Sequence, residues 1–137
     1  MDKPSCICHA MKRLLKEQQI IAGIDMEFQF ICSAKKVDTI PFMLNATNKN
    51  KPFRAFYNCI ATPFFRLEKM DEDTCCAQLS LLEAVDIEGN PTDSCDDLFT
   101  LRKTKSCIIV NLNCFCAITP LPLECVNRPL PIIEPKC

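Results

Sequence analysis

The stretch CIIVNLNCFCAI, residues 107–118, constrains the fold strongly, because apolar side chains recur at every second position. That period of two is typical of a β-strand with one buried face. We predict a strand over 107–119, and one set of alternate residues is wholly apolar and marks the core side: Ile108, Val110, Leu112, Cys114, Cys116 and Ile118. The opposite face carries Cys107, Ile109, Asn111, Asn113, Phe115 and Ala117.

The cysteines of this strand do not easily bridge each other. Residues i and i+2 of a strand lie about 6.5–7 Å apart, whereas the Cα atoms of a disulfide usually lie about 5.5–6 Å apart. Cys114 and Cys116 therefore each pair with another strand, with another chain, or with nothing. At Cys75–Cys76, adjacent strand residues point to opposite faces, so we predict one thiol facing inward and the other outward.

The rest of the chain predicts one helix followed by short strands. Apolar residues at helical spacing, Ile7, Met11, Leu14 and Leu15, indicate a helix over 5–20, with Gly23 past its end. The period then changes to two, and strands are predicted over 26–33, 39–46, 53–58, 63–70, 75–86 and 98–102, with turns at 47–52 and 87–93. Pro41 makes its strand an edge strand or places it at a strand start. The predicted fold is mainly β, an antiparallel β-sandwich or barrel-like domain with one N-terminal α-helix.

The C-terminal residues differ in composition from the rest of the chain. Residues 120–137 hold five of the ten prolines, so we expect an extended, polyproline-like tail. The predicted organisation is an N-terminal helix or arm over 1–23, a β domain over 24–119 and the tail over 120–137. The tail ends on Cys137, a position suited to reaching a neighbouring chain. The alternative is a tail that packs back on its own domain.

The number of cysteines exceeds what folding requires. A chain of 137 residues that is 48% hydrophobic can bury a core without covalent links, yet it contains twelve cysteines. The first 23 residues lack the apolar run of a secretory signal, so we expect synthesis in the reducing cytosol, where disulfides are rare. This conflict between cysteine content and compartment requires an explanation.

Charge and hydropathy make nucleic acid and membrane poor candidate partners. Residues 1–69 carry a net charge of +5 and residues 70–137 a net charge of −6, but the basic residues are scattered. Opposite charge at the two ends of a domain can instead favour head-to-tail packing. No stretch approaches the roughly 18 apolar residues that span a membrane.

Metal binding and catalysis have little support in the spacing of residues. Structural zinc typically uses cysteine pairs with two to four residues between them, whereas this chain has C-x-C at 6–8 and 114–116, C-C at 75–76, and no C-x-x-C. A cysteine-rich metal-binding module stays open as an alternative. The single histidine, His9, adjoins Cys8 on the predicted helix, and neighbours on a helix do not face each other. The acidic run at 71–73 is typical of a solvated turn, so we predict no enzyme, no catalytic residue and no cofactor.

Several stretches together resemble the CotY/CotZ family of Bacillus spore-coat proteins, which includes the exosporium protein ExsY. They are CICHAM (6–11), DTIPF (38–42), FFRLEK (64–69), CCAQLSLLEAVD (75–86) and LRKTKSCIIVNLNCFCAI (101–118). The resemblance implies a structural protein of the crust or exosporium that self-assembles into cysteine-cross-linked arrays with itself and other cysteine-rich coat proteins. It also implies synthesis in the mother-cell cytoplasm and later oxidation, which would resolve the conflict over compartment. Thr119-Pro120 stands where relatives usually carry a further cysteine.

We therefore divide the cysteines into two groups. Those expected to bond between molecules are Cys6, Cys8, Cys107, Cys125 and Cys137. Those expected in the core or in bridges within the chain are Cys32, Cys59, Cys75, Cys76, Cys95, Cys114 and Cys116. The alternative structural hypothesis is an adaptor that anchors filaments or glycoproteins to the spore surface, with the tail as the segment that attaches them.

Overall fold

The computed structural model describes residues 6–27, 38–126 and 128. One helix precedes seven strands: α1 (Cys6–Glu27), β1 (Phe42–Ala46), β2 (Ala55–Tyr57), β3 (Ile60–Thr62), β4 (Phe65–Asp71), β5 (Cys76–Val85), β6 (Thr100–Asn111) and β7 (Phe115–Pro120). Short 3-10 helices cover Cys95–Asp97, Leu112–Cys114 and Leu123–Cys125. The prediction of a mainly β, antiparallel fold with one N-terminal helix is confirmed.

Five strands form one sheet in the order β6-β5-β4-β1-β7, and β2 and β3 form a separate hairpin. Every pair of strands is antiparallel. Pro41 lies just before β1, as the strand-start alternative predicts, although β1 lies inside the sheet between β4 and β7. The long strands β5 and β6 pair over most of their length, with an irregularity between Ser80 and Leu82.

Helix α1 covers one face of the sheet. The predicted apolar stripe is confirmed, because Ile7, Met11 and Leu14 are buried in the main core. The helix is longer than predicted: it passes through Gly23 and ends at Glu27, so residues 26 and 27 are helical rather than part of a strand. A glycine inside a helix costs only about 1 kcal/mol relative to alanine, which helical neighbours on both sides can offset. The rest of the predicted strand, 28–33, lies outside the described residues.

The two faces of the sheet carry different apolar clusters. On β5, alternate residues Ala77, Leu79 and Leu81 join the main core beneath α1. Leu82 and Ala84 point the other way and join a second cluster, against which Leu121, Cys125 and Val126 pack. The chain after β7 therefore crosses from β1, where the Leu121 N–H donates to the Pro41 carbonyl, to β6, where Val126 bridges Leu101.

A buried glutamine fastens the helix to the sheet. The Gln18 side chain is 3% exposed; its Nε2 donates to the Leu67 carbonyl at 2.9 Å, and its Oε1 accepts from the Ile40 N–H at 3.0 Å. Both hydrogen bonds join residues far apart in sequence. Since a buried polar group without a partner is costly, this pair of bonds fixes where α1 lies along the sheet.

Candidate functional site

The structure contains one disulfide between described residues, and it lies within the chain. Cys8, near the start of α1, is bonded to Cys75, and their Cα atoms are 5.8 Å apart. Both residues are buried, with 4% and 5% exposure. The prediction that Cys8 bonds to another molecule is therefore wrong, because its sulfur is already bonded in the core.

The turn between β4 and β5 presents Cys75 to the helix. Cys75 has a positive φ of 58°, its N–H donates to the Asp71 carbonyl at 2.8 Å, and its carbonyl accepts from the Leu112 N–H at 2.9 Å. Cys76 begins β5 on the other face and is half-buried and free. The structure thus places one thiol of this pair inward and the other outward.

A short turn interrupts the strand predicted over 107–119 and places two of its cysteines at the surface. The Asn111 side chain accepts a hydrogen bond from the Asn113 N–H at 3.0 Å, and Leu112–Cys114 forms a 3-10 turn. The alternation restarts out of phase after this turn, so Phe115 is buried. Cys114 and Cys116 are exposed and free. Their predicted place in the core, and that of Phe115 on the solvent face, are wrong.

Two further cysteines of the predicted core group lie at the surface. Cys59 occupies the two-residue turn between β2 and β3, where Asn58 and Cys59 both have positive φ, as hairpin turns of this length require. Cys95 lies in a short 3-10 helix without buried residues. Both are exposed and free, because a tight turn projects its side chains away from the sheet.

The cysteines predicted to bond between molecules have varied surroundings. Cys6 and Cys107 are exposed and free, and Cys125 is half-buried beside the second cluster. Cys32 and Cys137 lie outside the described residues. The surface of the described chain therefore presents six exposed free thiols and two half-buried ones: Cys6, Cys59, Cys95, Cys107, Cys114 and Cys116, with Cys76 and Cys125.

Large apolar side chains lie exposed near some of these thiols. Ile109 is 77% exposed and shares a face of the edge strand β6 with Cys107. Phe56 is likewise 77% exposed, on the hairpin whose turn holds Cys59. Apolar groups of this kind can hold a second surface in place while a bond forms between thiols.

A groove runs between α1 and the edge strand β7, with a volume of about 490 Å³. Leu14, Ile40 and Ile118 provide apolar side chains, and Arg13 and Glu17 lie exposed on the helix side. The exposed Cys6 also lines this groove.

A polar network lies on the sheet face opposite α1. Lys103 on β6 forms an ion pair with Asp38, and Arg66 on β4 donates to Thr39 at 2.9 Å and pairs with Glu68 at 2.6 Å. Burial alone would raise the pKa of Asp38 and of Glu68. Hydrogen bonds and nearby positive charges, mainly from Lys103 for Asp38 and from Arg66 for Glu68, outweigh it and hold both pKa values below the ordinary range.

Because these pKa values are lowered, the network stabilises the folded chain above the ordinary carboxyl pKa values, 3.8 and 4.5, and the stabilisation is lost as pH falls through the folded values. We expect Asp38→Asn to flatten the decline in unfolding free energy between pH 5 and 3, measured by urea titration. The effect should stay below about 1 kcal/mol, because both carboxyls are partly exposed and solvent screens their ion pairs. Asp93→Asn, at an exposed acid, is the control. Equal slopes for Asp38→Asn and the unmodified chain would contradict the assignment.

Within the described residues, no group of three or more histidine, cysteine or acidic side chains is placed to hold a metal ion. The single described helix is not apolar enough over its length to cross a membrane.

Comparison with known proteins decides the family. The family model for spore coat protein Z matches residues 1–123. The chain belongs to the spore coat protein Z family. A curated member of this family, spore coat protein Z of Bacillus subtilis (strain 168), is 39% identical over 104 residues, covering 66% of this chain and 68% of that protein. No solved structure matches the chain.

Membership of the spore coat protein Z family confirms the resemblance seen in the sequence. It indicates a structural role in the spore coat and a place at the spore surface. The matched residues include the bridged pair Cys8–Cys75 and the exposed thiols from Cys6 to Cys116.

Proposed function

We propose that this chain is a structural subunit of the outermost layer of the spore, the crust or exosporium. It assembles with copies of itself and with other cysteine-rich coat proteins through disulfide bonds between chains. The observation that carries this proposal is the placement of the free cysteines in the described part of the chain. Six of them are exposed there, although a packed core and an internal bridge are already present.

Folding and cross-linking depend on different parts of the molecule. Two apolar clusters and a disulfide hold the domain together, so the exposed thiols are not needed to fold it. An unbonded cysteine placed for stability is usually buried. Exposed thiols spread over the hairpin turn, the edge strand β6 and the start of β7 give one subunit several directions in which to bond.

Synthesis in a reducing cytoplasm is compatible with folding first and cross-linking later. Synthesis in the mother-cell cytoplasm keeps the surface thiols reduced while the coat is being built. Later exposure to dioxygen supplies the oxidant: two thiols lose two protons and two electrons and form one S–S bond, and dioxygen is reduced to hydrogen peroxide. Each bond between subunits makes the contact close to irreversible until a reductant is added.

Gel electrophoresis with and without reductant tests the cross-linking directly. We expect the air-oxidised protein to form a ladder of oligomers that collapses to monomer with reductant. A variant with serine at the six exposed cysteines and at Cys137 should lose most of these oligomers. It should keep the melting temperature of the parent, since the six exposed side chains pack against little. Electron microscopy should show extended layers for the parent, and discrete particles would instead favour an adaptor. A monomer in both lanes for the parent would contradict the proposal.

A further inference from the structure

The groove between α1 and β7 has the chemistry of a site for a short extended peptide. Its inner side is apolar at Leu14, Ile40 and Ile118, while Arg13 and Glu17 offer opposite charges along the helix side. The Ile40 N–H is bonded to Gln18, which places Ile40 at the level of Glu17 rather than at the N-terminal end of α1. The groove therefore has an apolar end near Glu17 and a thiol at Cys6, toward the helix N-terminus.

We propose that this groove binds residues 132–137, IIEPKC, of a second copy of the chain, and that its Cys137 forms a disulfide with Cys6. The inference deepens the assembly function proposed above and rests on it. It assigns the Cys6 and Cys137 thiols, and the groove between α1 and β7, to the contact between neighbouring subunits.

The sequence of the C-terminal segment complements the groove. Ile132 and Ile133 are apolar and match its inner side, and Glu134 can pair with the exposed Arg13. Prolines at 129, 131 and 135 favour a preformed extended chain, which lowers the entropy lost on binding.

The distances between the paired residues also match when the bound segment runs antiparallel to α1. Arg13 and Cys6 are seven residues apart, about 10 Å along a helix at 1.5 Å per residue. Glu134 and Cys137 are three residues apart, about 9 Å in a polyproline-like chain at 3.1 Å per residue. A carboxylate beside Arg13 thus places the Cys137 thiol beside Cys6, with the two isoleucines toward Ile40.

The reach of the chain favours a second copy over the same copy. Arg128 is held at β6, where its N–H donates to the Thr100 hydroxyl at 2.8 Å and its guanidinium lies 4.1 Å from the Phe99 ring centroid. The end of the groove that would take the two isoleucines lies at Ile40, just before β1, and β1 is three strand spacings or about 14 Å from β6. The four steps from Arg128 to Ile132 span about 12 Å, and the groove lies on the opposite face from the cluster that holds Val126.

A tail that binds the next copy makes a contact between unlike surfaces, and such contacts build rings or open arrays. The covalent step joins the Cys6 and Cys137 sulfurs as both thiols lose their protons. Dioxygen accepts the two electrons and is reduced to hydrogen peroxide. The segment outside the β domain thereby acts as the link that propagates the layer.

Mass spectrometry of a non-reduced digest tests the pairing. Full-length chains labelled with nitrogen-14 and nitrogen-15 are mixed while reduced and then oxidised in air. We expect a linked pair of peptides in which Cys6 of one isotope is bonded to Cys137 of the other. Linked peptides whose two halves always share one isotope, or no Cys6–Cys137 link in oxidised oligomers, would overturn the inference.

Charge reversal tests the recognition step separately from the bond. Arg13→Glu or Glu134→Lys alone should slow formation of the Cys6–Cys137 link by about fivefold, and the two changes together should restore it. Lys16→Glu, at an exposed position outside the groove, is the control. Failure of the double variant to restore the rate would overturn the groove contact. Oligomers that persist through other cysteines would leave the proposed function standing, whereas a chain that never cross-links would remove both.

Discussion

Replacing both bridged cysteines, Cys8→Ala with Cys75→Ala, is expected to lower the free energy of unfolding by about 4 kcal/mol. The bridge joins residues 67 apart in sequence, and closing so long a loop removes much conformational entropy from the unfolded chain. It also ties the start of α1 to the turn before β5. The chain should still fold, because the main core and the Gln18 hydrogen bonds remain.

The measurement is urea unfolding in a background with serine at the six exposed cysteines and at Cys137, which limits oligomers. Adding reductant to the bridged chain should produce a similar loss, and it should have no effect on the Cys8→Ala, Cys75→Ala variant. Alanine instead of serine in place of the exposed Cys95, in the same background, serves as the control and should change stability by less than about 0.5 kcal/mol. Identical midpoints for the bridged and unbridged chains would show that the bridge contributes nothing.

Gln18→Leu is expected to cost about 2–4 kcal/mol, because it leaves the Leu67 carbonyl and the Ile40 N–H buried without partners. Leucine has a similar volume and helix propensity, so the loss reports the two hydrogen bonds rather than packing. The junction between the segment before β1 and strand β4 should loosen with it.

Gln19→Leu is a closely matched control, since the neighbouring glutamine is exposed on the same helix. It should leave the unfolding midpoint nearly unchanged. Hydrogen exchange of the Ile40 amide gives a local readout, and it should accelerate in the Gln18 variant alone. Equal stability of the two variants would contradict the role assigned to Gln18.

The spacing of apolar residues correctly predicted the helix and the strands that bury one regular face. The apolar stripe of α1 and the strands at 63–70 and 75–86 follow directly from spacing, and the structure has them in nearly those places. Cys75 and Cys76 face opposite ways as predicted, but Cys75 does so from the turn before β5, at a positive φ, rather than from the strand. By contrast, the break at Leu112–Cys114 depends on a hydrogen bond from the Asn113 N–H to the Asn111 side chain, which interrupts an otherwise unbroken alternation.

Whether a given cysteine is bonded, buried or exposed depends on tertiary contacts, which local sequence patterns do not reveal. Cys8 pairs with Cys75 because the turn after β4 meets the start of α1, which no spacing along the chain reveals. Gln18 and Gln19 look alike in the sequence, and only the packing of α1 on β4 makes one of them structural. The residues CFC at 114–116 continue the apparent alternation of the preceding strand. The 3-10 turn at Leu112–Cys114 shifts this alternation, so that both thiols are exposed.

Alkylation of accessible thiols, followed by mass spectrometry, tests most directly whether the exposed cysteines join subunits. Reduced monomer and oxidised assemblies would be labelled under native conditions, and non-reduced digests would assign each bond. We expect that the Cys8–Cys75 bond stays within one chain, and that several exposed cysteines lose reactivity on assembly because they are bonded to other chains. Exposed cysteines that stay fully reactive in the assemblies, or that bond only within their own chain, would contradict it.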